Sequence, residues 1–252
     1  VAQRLLLTAI GLFALVIGGA PSLSAQDPRP AIERLERAYR SAQTLEADFL
    51  ELYREGGKQV RAEAGVAYFG RPGKMRWEYR SPENNLYVVD GKWEWFYVPA
   101  DHTATRIKAR ESSDWRTPLA LLAGQMKVSR ICGHVLLDQT VPPASPGNLM
   151  LRCEMRGNPQ DRRGQPGGKA GEGDQVLFEV DPEKGELARI LVSDPGGVQV
   201  EFRFSNWQFD PRLDAKMFRF APPKGVAIVD GDFAAAPGGP AEENRGPAAK
   251  GR

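Results

Sequence analysis

Histidine and cysteine are scarce, with two of each in 252 residues. His102 and His134 stand in no metal-ligand spacing. No nucleophile elbow, paired-histidine zinc motif or Gly-rich phosphate loop occurs. Excess charge of one sign is also missing. Charged residues are 26% of the chain yet nearly cancel, leaving +2, so no strong field favours nucleic acid or an anionic membrane. No catalytic residue, metal, cofactor or nucleic-acid partner is expected. Carboxylates are plentiful, but they fall in turns or on alternate strand positions read as a solvated face.

Long apolar runs are missing too. The run from Leu5 to Ile17 is too short to span a bilayer comfortably. Arg4 precedes it, Gly18-Gly19-Ala20-Pro21 breaks it, and Ser22-Leu23-Ser24-Ala25 offers small residues for cleavage. Residues 1–25 therefore read as a secretory signal peptide. The residue after Ala25 is Gln26 and not the Cys of a lipoprotein box. With no thiol to acylate, a soluble, exported mature chain is expected.

What the sequence does have is an aromatic meander from Ala64 to Val98. Runs rich in aromatic and β-branched residues are cut by Arg71-Pro72-Gly73-Lys74 and by Asp90-Gly91, both turn signals. Alternation puts Met75, Trp77 and Tyr79 on one strand face, and Trp93, Trp95 and Tyr97 on one face of another. An aromatic face of this size must be buried.

Before the meander, Ile32, Leu35, Tyr39, Ala42 and Leu45 recur at helical spacing behind Pro30. They predict an amphipathic helix. Strands are predicted over 47–55, 60–70, 103–108, 128–138, 149–155, 176–181, 187–193 and 198–209. In the last, Val198, Val200, Phe202 and Phe204 face one way and Gln199, Glu201, Arg203 and Ser205 the other. Thr117-Pro118 opens a short helix, apolar nearly all round, that Gly124 ends. It is either a plug in the core or a lid over a ligand.

Cys132 and Cys153 would meet an oxidising compartment after export, so a disulfide is the default. A reactive Cys132–His134 pair is the alternative, although residues two apart on a strand are not an activated pair. Residues 157–174 have no apolar periodicity and read as a flexible polar loop, and 231–252 as a disordered tail. The domain thus spans 26–230. Its fold class is α+β: a strongly curved antiparallel sheet of about ten strands, which curls at that extent, with helices capping it.

Several stretches in order resemble the outer-membrane lipoprotein carrier family, the LolA-type periplasmic carriers. They are Phe69-Gly70-Arg71-Pro72 followed by Met75, Trp77 and Glu78; Val89-Asp90-Gly91-Lys92 with Trp95-Phe96-Tyr97; Thr117-Pro118 with Leu119, Leu121 and Leu122; and Ala215-Lys216-Met217-Phe218 through Gly225-Val226. The resemblance implies a half-open β-barrel capped by helices, with a cavity for lipoprotein acyl chains. It implies that Arg71 closes the lid through hydrogen bonds to lid backbone. It makes Phe69, Met75, Trp77, Tyr87, Trp95, Leu119 and Leu122 candidate cavity-lining residues. It implies acylated lipoproteins as cargo, received from an inner-membrane lipoprotein-releasing ABC transporter and passed to an outer-membrane lipoprotein receptor by a monomer. Two alternatives stand beside it: a same-fold periplasmic sensor or carrier of another lipid or glycolipid, and an exported hydrolase.

Overall fold

The computed structural model describes residues 27–109, 119–123, 127–155 and 175–231. The expected signal peptide, the polar loop 157–174, nearly all of the expected tail, and Thr117, Pro118 and Gly124 lie outside them. The helix α1 (Arg29–Ser41) is followed by β1 (Thr44–Glu55), β2 (Lys58–Gly70), β3 (Lys74–Ser81), β4 (Leu86–Val89), β5 (Trp93–Val98) and β6 (Thr103–Lys108). Two one-turn helices follow, α2 (Ala120–Ala123) and α3 (Val128–Ile131). Then come β7 (Cys132–Leu137), β8 (Leu149–Met155), β9 (Gln175–Val180), β10 (Leu187–Ser193), β11 (Val198–Phe209) and β12 (Ala227–Asp230).

All twelve strands form one sheet, in the order β12-β6-β5-β4-β3-β2-β1-β11-β10-β9-β8-β7. Among the described residues its ends, β12 and β7, do not pair with each other, so the sheet stays unclosed. Pairing is antiparallel apart from β12 with β6. Most neighbours in sequence are neighbours in the sheet, as short turns dictate. Asp90, for instance, accepts the N–H groups of Lys92 and Trp93 at 2.8 and 2.7 Å, and Gly91 takes a φ of 93°. The sequence reading differs in three places. Ala42 and Leu45, expected to continue the helix, lie beyond it, with Leu45 in β1. Residues 128–131, expected to begin a strand, form α3. Residues 227–230, given no element in the sequence reading, are β12.

The core lies on the concave face. Leu35 and Tyr39 of α1, Phe49 of β1, Phe69 of β2, Met75 and Trp77 of β3, and Phe202 and Phe204 of β11 belong to one continuous buried cluster. The 3-10 turn Ala215–Phe218 packs beside β3, where the Arg76 guanidinium donates to the Met217 carbonyl at 3.0 Å. Asp214 caps the turn by accepting the Lys216 N–H at 2.9 Å. The Phe218 ring packs so close to Gly70 that a Cβ there would sit 2.7 Å from it. Glycine is required at that contact.

Candidate functional site

Periodicity of two sets which side chains line the concave wall. The register places Phe49 opposite Gly65, Ala67 opposite Trp77, and Trp77 opposite Tyr87. These residues share the inner face. Trp77 sits at the middle of the wall, with ring centroids 4.7 Å from Phe49 and 5.4 Å from Phe202 in edge-on arrangements. Of the candidate lining residues, Phe69, Met75, Trp77, Tyr87, Leu119 and Leu122 all join this cluster.

Trp95 does not, and here the sequence reading is corrected. The register pairs Val88 with Trp95, and both lie on the outer face with Ala104, Trp93 and Tyr97. Phe220 covers them, 5.3 Å from Trp95 and 5.4 Å from Tyr97. The inner face of β5 is instead Glu94, Phe96 and Val98. Alternation says that three aromatics share a side, but not which side is concave.

Two apolar elements cover the wall. In α2 and just before it, Leu119, Leu121, Leu122 and Ala123 are all buried in the inner cluster. This segment is tied to the β2–β3 turn by the Gly73 N–H, which donates to the Ala123 carbonyl at 3.0 Å. Helix α1 buries Ala31, Leu35 and Tyr39.

Arg71 begins the β2–β3 turn. Its guanidinium donates to the Arg40 carbonyl at 2.7 Å and to the Tyr39 carbonyl. These are orphan carbonyls in the last turn of α1, which a cationic fork suits. Among the described residues, Arg71 thus grips α1, while backbone of the same turn grips α2. Burial lowers the Arg71 pKa, and nearby Asp210 opposes this.

Tyr39 is a residue whose role the helical spacing could not reveal. Its hydroxyl accepts the Leu187 N–H at 2.9 Å, from the far half of the sheet. Its ring meets Trp207 and Phe209 edge-on at 5.2 and 5.4 Å. Arg34 adds a bond to the Pro182 carbonyl at 2.6 Å. Helix α1 is therefore fastened to strands on both sides of the sheet.

The carboxylates correct a second expectation, since several are buried. On the inner face, Glu51 is 1% exposed and accepts the Tyr79 hydroxyl at 2.9 Å. Glu63 lies opposite Glu51 in the register and 2.8 Å from Arg61, and Glu94 accepts the Tyr87 hydroxyl at 2.9 Å. On the outer face, Glu201 pairs with Arg54 at 2.7 Å and Arg203 at 2.6 Å, and Arg189 bridges Glu201 and Glu179. Glu179 also accepts the backbone N–H groups of Ala144 and Ser145. The missing signal is the partner: Glu51, Glu94, Glu179 and Glu201 look solvated until a tyrosine or arginine is brought beside each from another strand.

Cys132 and Cys153 are joined by a disulfide, so neither has a thiol to activate. His102, in the β5–β6 turn, and His134, on edge strand β7, are exposed and lie towards opposite ends of the sheet. The structure does not bring them together. Among the described residues, no group of three metal-ligating side chains is placed to hold an ion, and no helix is long and apolar enough to cross a membrane. The arrangement offers enclosed apolar surface under two covering elements.

The chain is similar to several known proteins. The family described as outer membrane lipoprotein carrier protein LolA matches residues 40–132, and one described as "Predicted periplasmic protein (DUF2092)" matches 186–230. An outer-membrane lipoprotein carrier protein of Chromobacterium violaceum is 29% identical over 213 residues, covering 84% of this chain and 94% of its own. One from Methylococcus capsulatus is 29% identical over 198 residues, covering 78% and 86%. Among solved structures, an uncharacterized conserved protein of Thermus thermophilus aligns with a TM-score of 0.48 at 13% identity, over 81% of this chain and 99% of that one.

Proposed function

We propose, from its similarity to outer-membrane lipoprotein carrier proteins, that this chain is a non-catalytic periplasmic carrier of acylated lipoproteins. The observation that carries the reading is the concave apolar wall of an unclosed sheet, covered by α1 and the Leu119–Ala123 segment. Such a wall can trade its contacts with the covering residues for contacts with an acyl chain. Exposing apolar chains to water costs about 0.8 kcal/mol per methylene, so a sixteen-carbon chain needs roughly 12 kcal/mol of shielding.

In this reading, residues 1–25 direct export and are removed, and the mature protein works as a soluble monomer. It receives cargo from an inner-membrane lipoprotein-releasing ABC transporter and yields it to an outer-membrane lipoprotein receptor. Phe69, Met75, Trp77, Tyr87, Leu119 and Leu122 form the acyl-contacting surface. Arg71 holds α1 against the mouth, and cargo enters when α1 and α2 part from the sheet.

Native mass spectrometry of the mature protein from a periplasmic extract, followed by organic extraction, tests the proposal. A bound lipoprotein or acylated lipopeptide is the expected result. A bound glycolipid or phospholipid would move the function to another lipid. An empty protein that takes up no fluorescent acyl probe would sink the carrier reading.

A further inference from the structure

Trp77 holds an anomaly. Its indole Nε1–H is buried and has no hydrogen-bond acceptor, on a side chain only 1% exposed. The surroundings explain this: the nearest rings are Phe49, Phe202, Phe69 and Phe204, at 4.7, 5.4, 5.8 and 6.1 Å. An indole N–H donates and cannot accept, and buried donors are normally paired. Three other donors on the same wall obey that rule. Trp207 Nε1–H donates to the Leu187 carbonyl at 2.8 Å, and the hydroxyls of Tyr79 and Tyr87 donate to Glu51 and Glu94. Trp95 Nε1 also lacks an acceptor, but it lies outside the concave wall, under Phe220.

Phenylalanine at position 77 would supply a ring without an unpaired donor. The N–H therefore fits an acceptor that a ligand brings. The charge of that acceptor is limited by its neighbours. Two residues along the strand, Tyr79 leads to Glu51, which faces Glu63, and both glutamates are buried. A phosphate would have to be buried on a wall that already holds two buried carboxyl groups, and burying a charge without its own partner is costly. A neutral carbonyl oxygen avoids that cost.

We propose that Trp77 Nε1–H donates a hydrogen bond to a neutral ester or amide carbonyl at the head of a bound acyl chain. The interior then selects acyl groups over ether-linked or plain hydrocarbon chains of equal length. The inference rests on the carrier reading, adding a polar specificity contact to an apolar wall.

The test compares two fluorescent lipopeptide probes of equal chain length and identical head group. One carries two palmitoyl esters on its glyceryl unit, the other two hexadecyl ethers. The mature wild-type protein is expected to bind the ester about five- to tenfold more tightly, the worth of one buried hydrogen bond, and Trp77→Phe to bind the two alike. The ester alone should shift the Trp77 indole N–H resonance of 15N-labelled wild-type protein, a readout that does not depend on the variant folding. Equal binding of the two probes by wild type overturns this proposal and leaves the carrier reading intact. So does an ester preference that survives in Trp77→Phe. Binding of neither probe overturns both.

Discussion

The Tyr39 carbonyl accepts the Arg71 guanidinium while the Tyr39 hydroxyl accepts the Leu187 N–H. One residue of α1 thereby joins the β2–β3 turn to the start of β10. The first half of the sheet and the second are held to a common helix, and the covering of the concave wall depends on it.

Arg71→Leu removes both guanidinium bonds to the end of α1. Charge-assisted bonds of this kind contribute about 2 kcal/mol, and a partly exposed arginine retains some of its hydration. Urea unfolding is expected to show a loss of about 1 to 2 kcal/mol. In stopped flow, α1 should release the wall more readily, so the variant should take up a fluorescent acyl probe faster than wild type. Unchanged uptake with reduced stability would confine Arg71 to a structural role.

Tyr39→Phe keeps the ring contacts with Trp207 and Phe209 and deletes the hydroxyl alone. The Leu187 N–H then loses its acceptor in a buried site, which costs about 1 to 3 kcal/mol. Hydrogen exchange should report this locally: the Leu187 amide should lose protection by more than amides in β4 and β5. A uniform change would mean that the bond is not a fastening point.

Acid should destabilise the protein through Asp138. Burial pushes its pKa up, but bonds from the Val141 N–H, the Thr140 hydroxyl and N–H, and the Arg152 guanidinium outweigh that and bring it from 3.8 down to about 2. A carboxylate with a lowered folded-state pKa adds stability above its unfolded value, and that stability is lost as pH falls through the folded value. The contribution, about 2 kcal/mol, should be present at pH 5 and vanish between about pH 4 and pH 2. Glu179 and Glu201 shift the same way, against burial. Hydrogen bonds from Ala144, Asn148 and Ser145 lower the first; bonds from Arg203 and Arg54 lower the second. Asp138→Asn should be less stable than wild type at pH 7 and should lose a share of the acid sensitivity in chemical unfolding at stepped pH.

Opposite faces of the sheet should respond differently to substitution. Trp95→Leu loosens the outer cluster with Phe220 and is expected to cost about 1 to 3 kcal/mol. Acyl-probe affinity should stay within about twofold of wild type, as for sites that share no partners. Met75→Glu, on the inner face, should weaken probe binding severely. A large affinity loss in Trp95→Leu would put the cargo on the outer face of the sheet and contradict a concave acyl site.

The Cys132–Cys153 bridge closes a sequence separation of 21 residues. Loop closure of this length contributes about 3 kcal/mol. Cys132→Ser with Cys153→Ser, or reduction of wild type, should lower the melting temperature, and reduction should have no effect on the double variant.

Much of the sheet can be read from alternation and turn chemistry. The strands at 149–155, 187–193 and 198–209 stand where the sequence puts them, because each is bounded by turn residues or a break in pattern. What cannot be read depends on distant partners. Val128 to Ile131 has strand-like composition, yet its first N–H is accepted by Glu36 of α1 at 2.8 Å, and a helical turn forms there. Ala227–Asp230 has four exposed residues and becomes a strand only because β6 offers a free edge beside it. Alternation alone puts Trp95 on the wrong face, because Glu94, its polar neighbour, looks like the solvent side until Tyr87 reaches it. The aromatic wall is visible in the sequence; the buried carboxylates and the Arg71 grip on α1 are not.

A closed barrel has a girth fixed by its strand number and stagger, and widening it means breaking a ladder of hydrogen bonds. This sheet has unjoined ends at β12 and β7. Its outline is a cuff with a slit: a small change of twist spread over its eleven strand-to-strand joints would widen it without severing any of them. On the carrier function proposed above, such a sheet would adjust its grip to one chain or several.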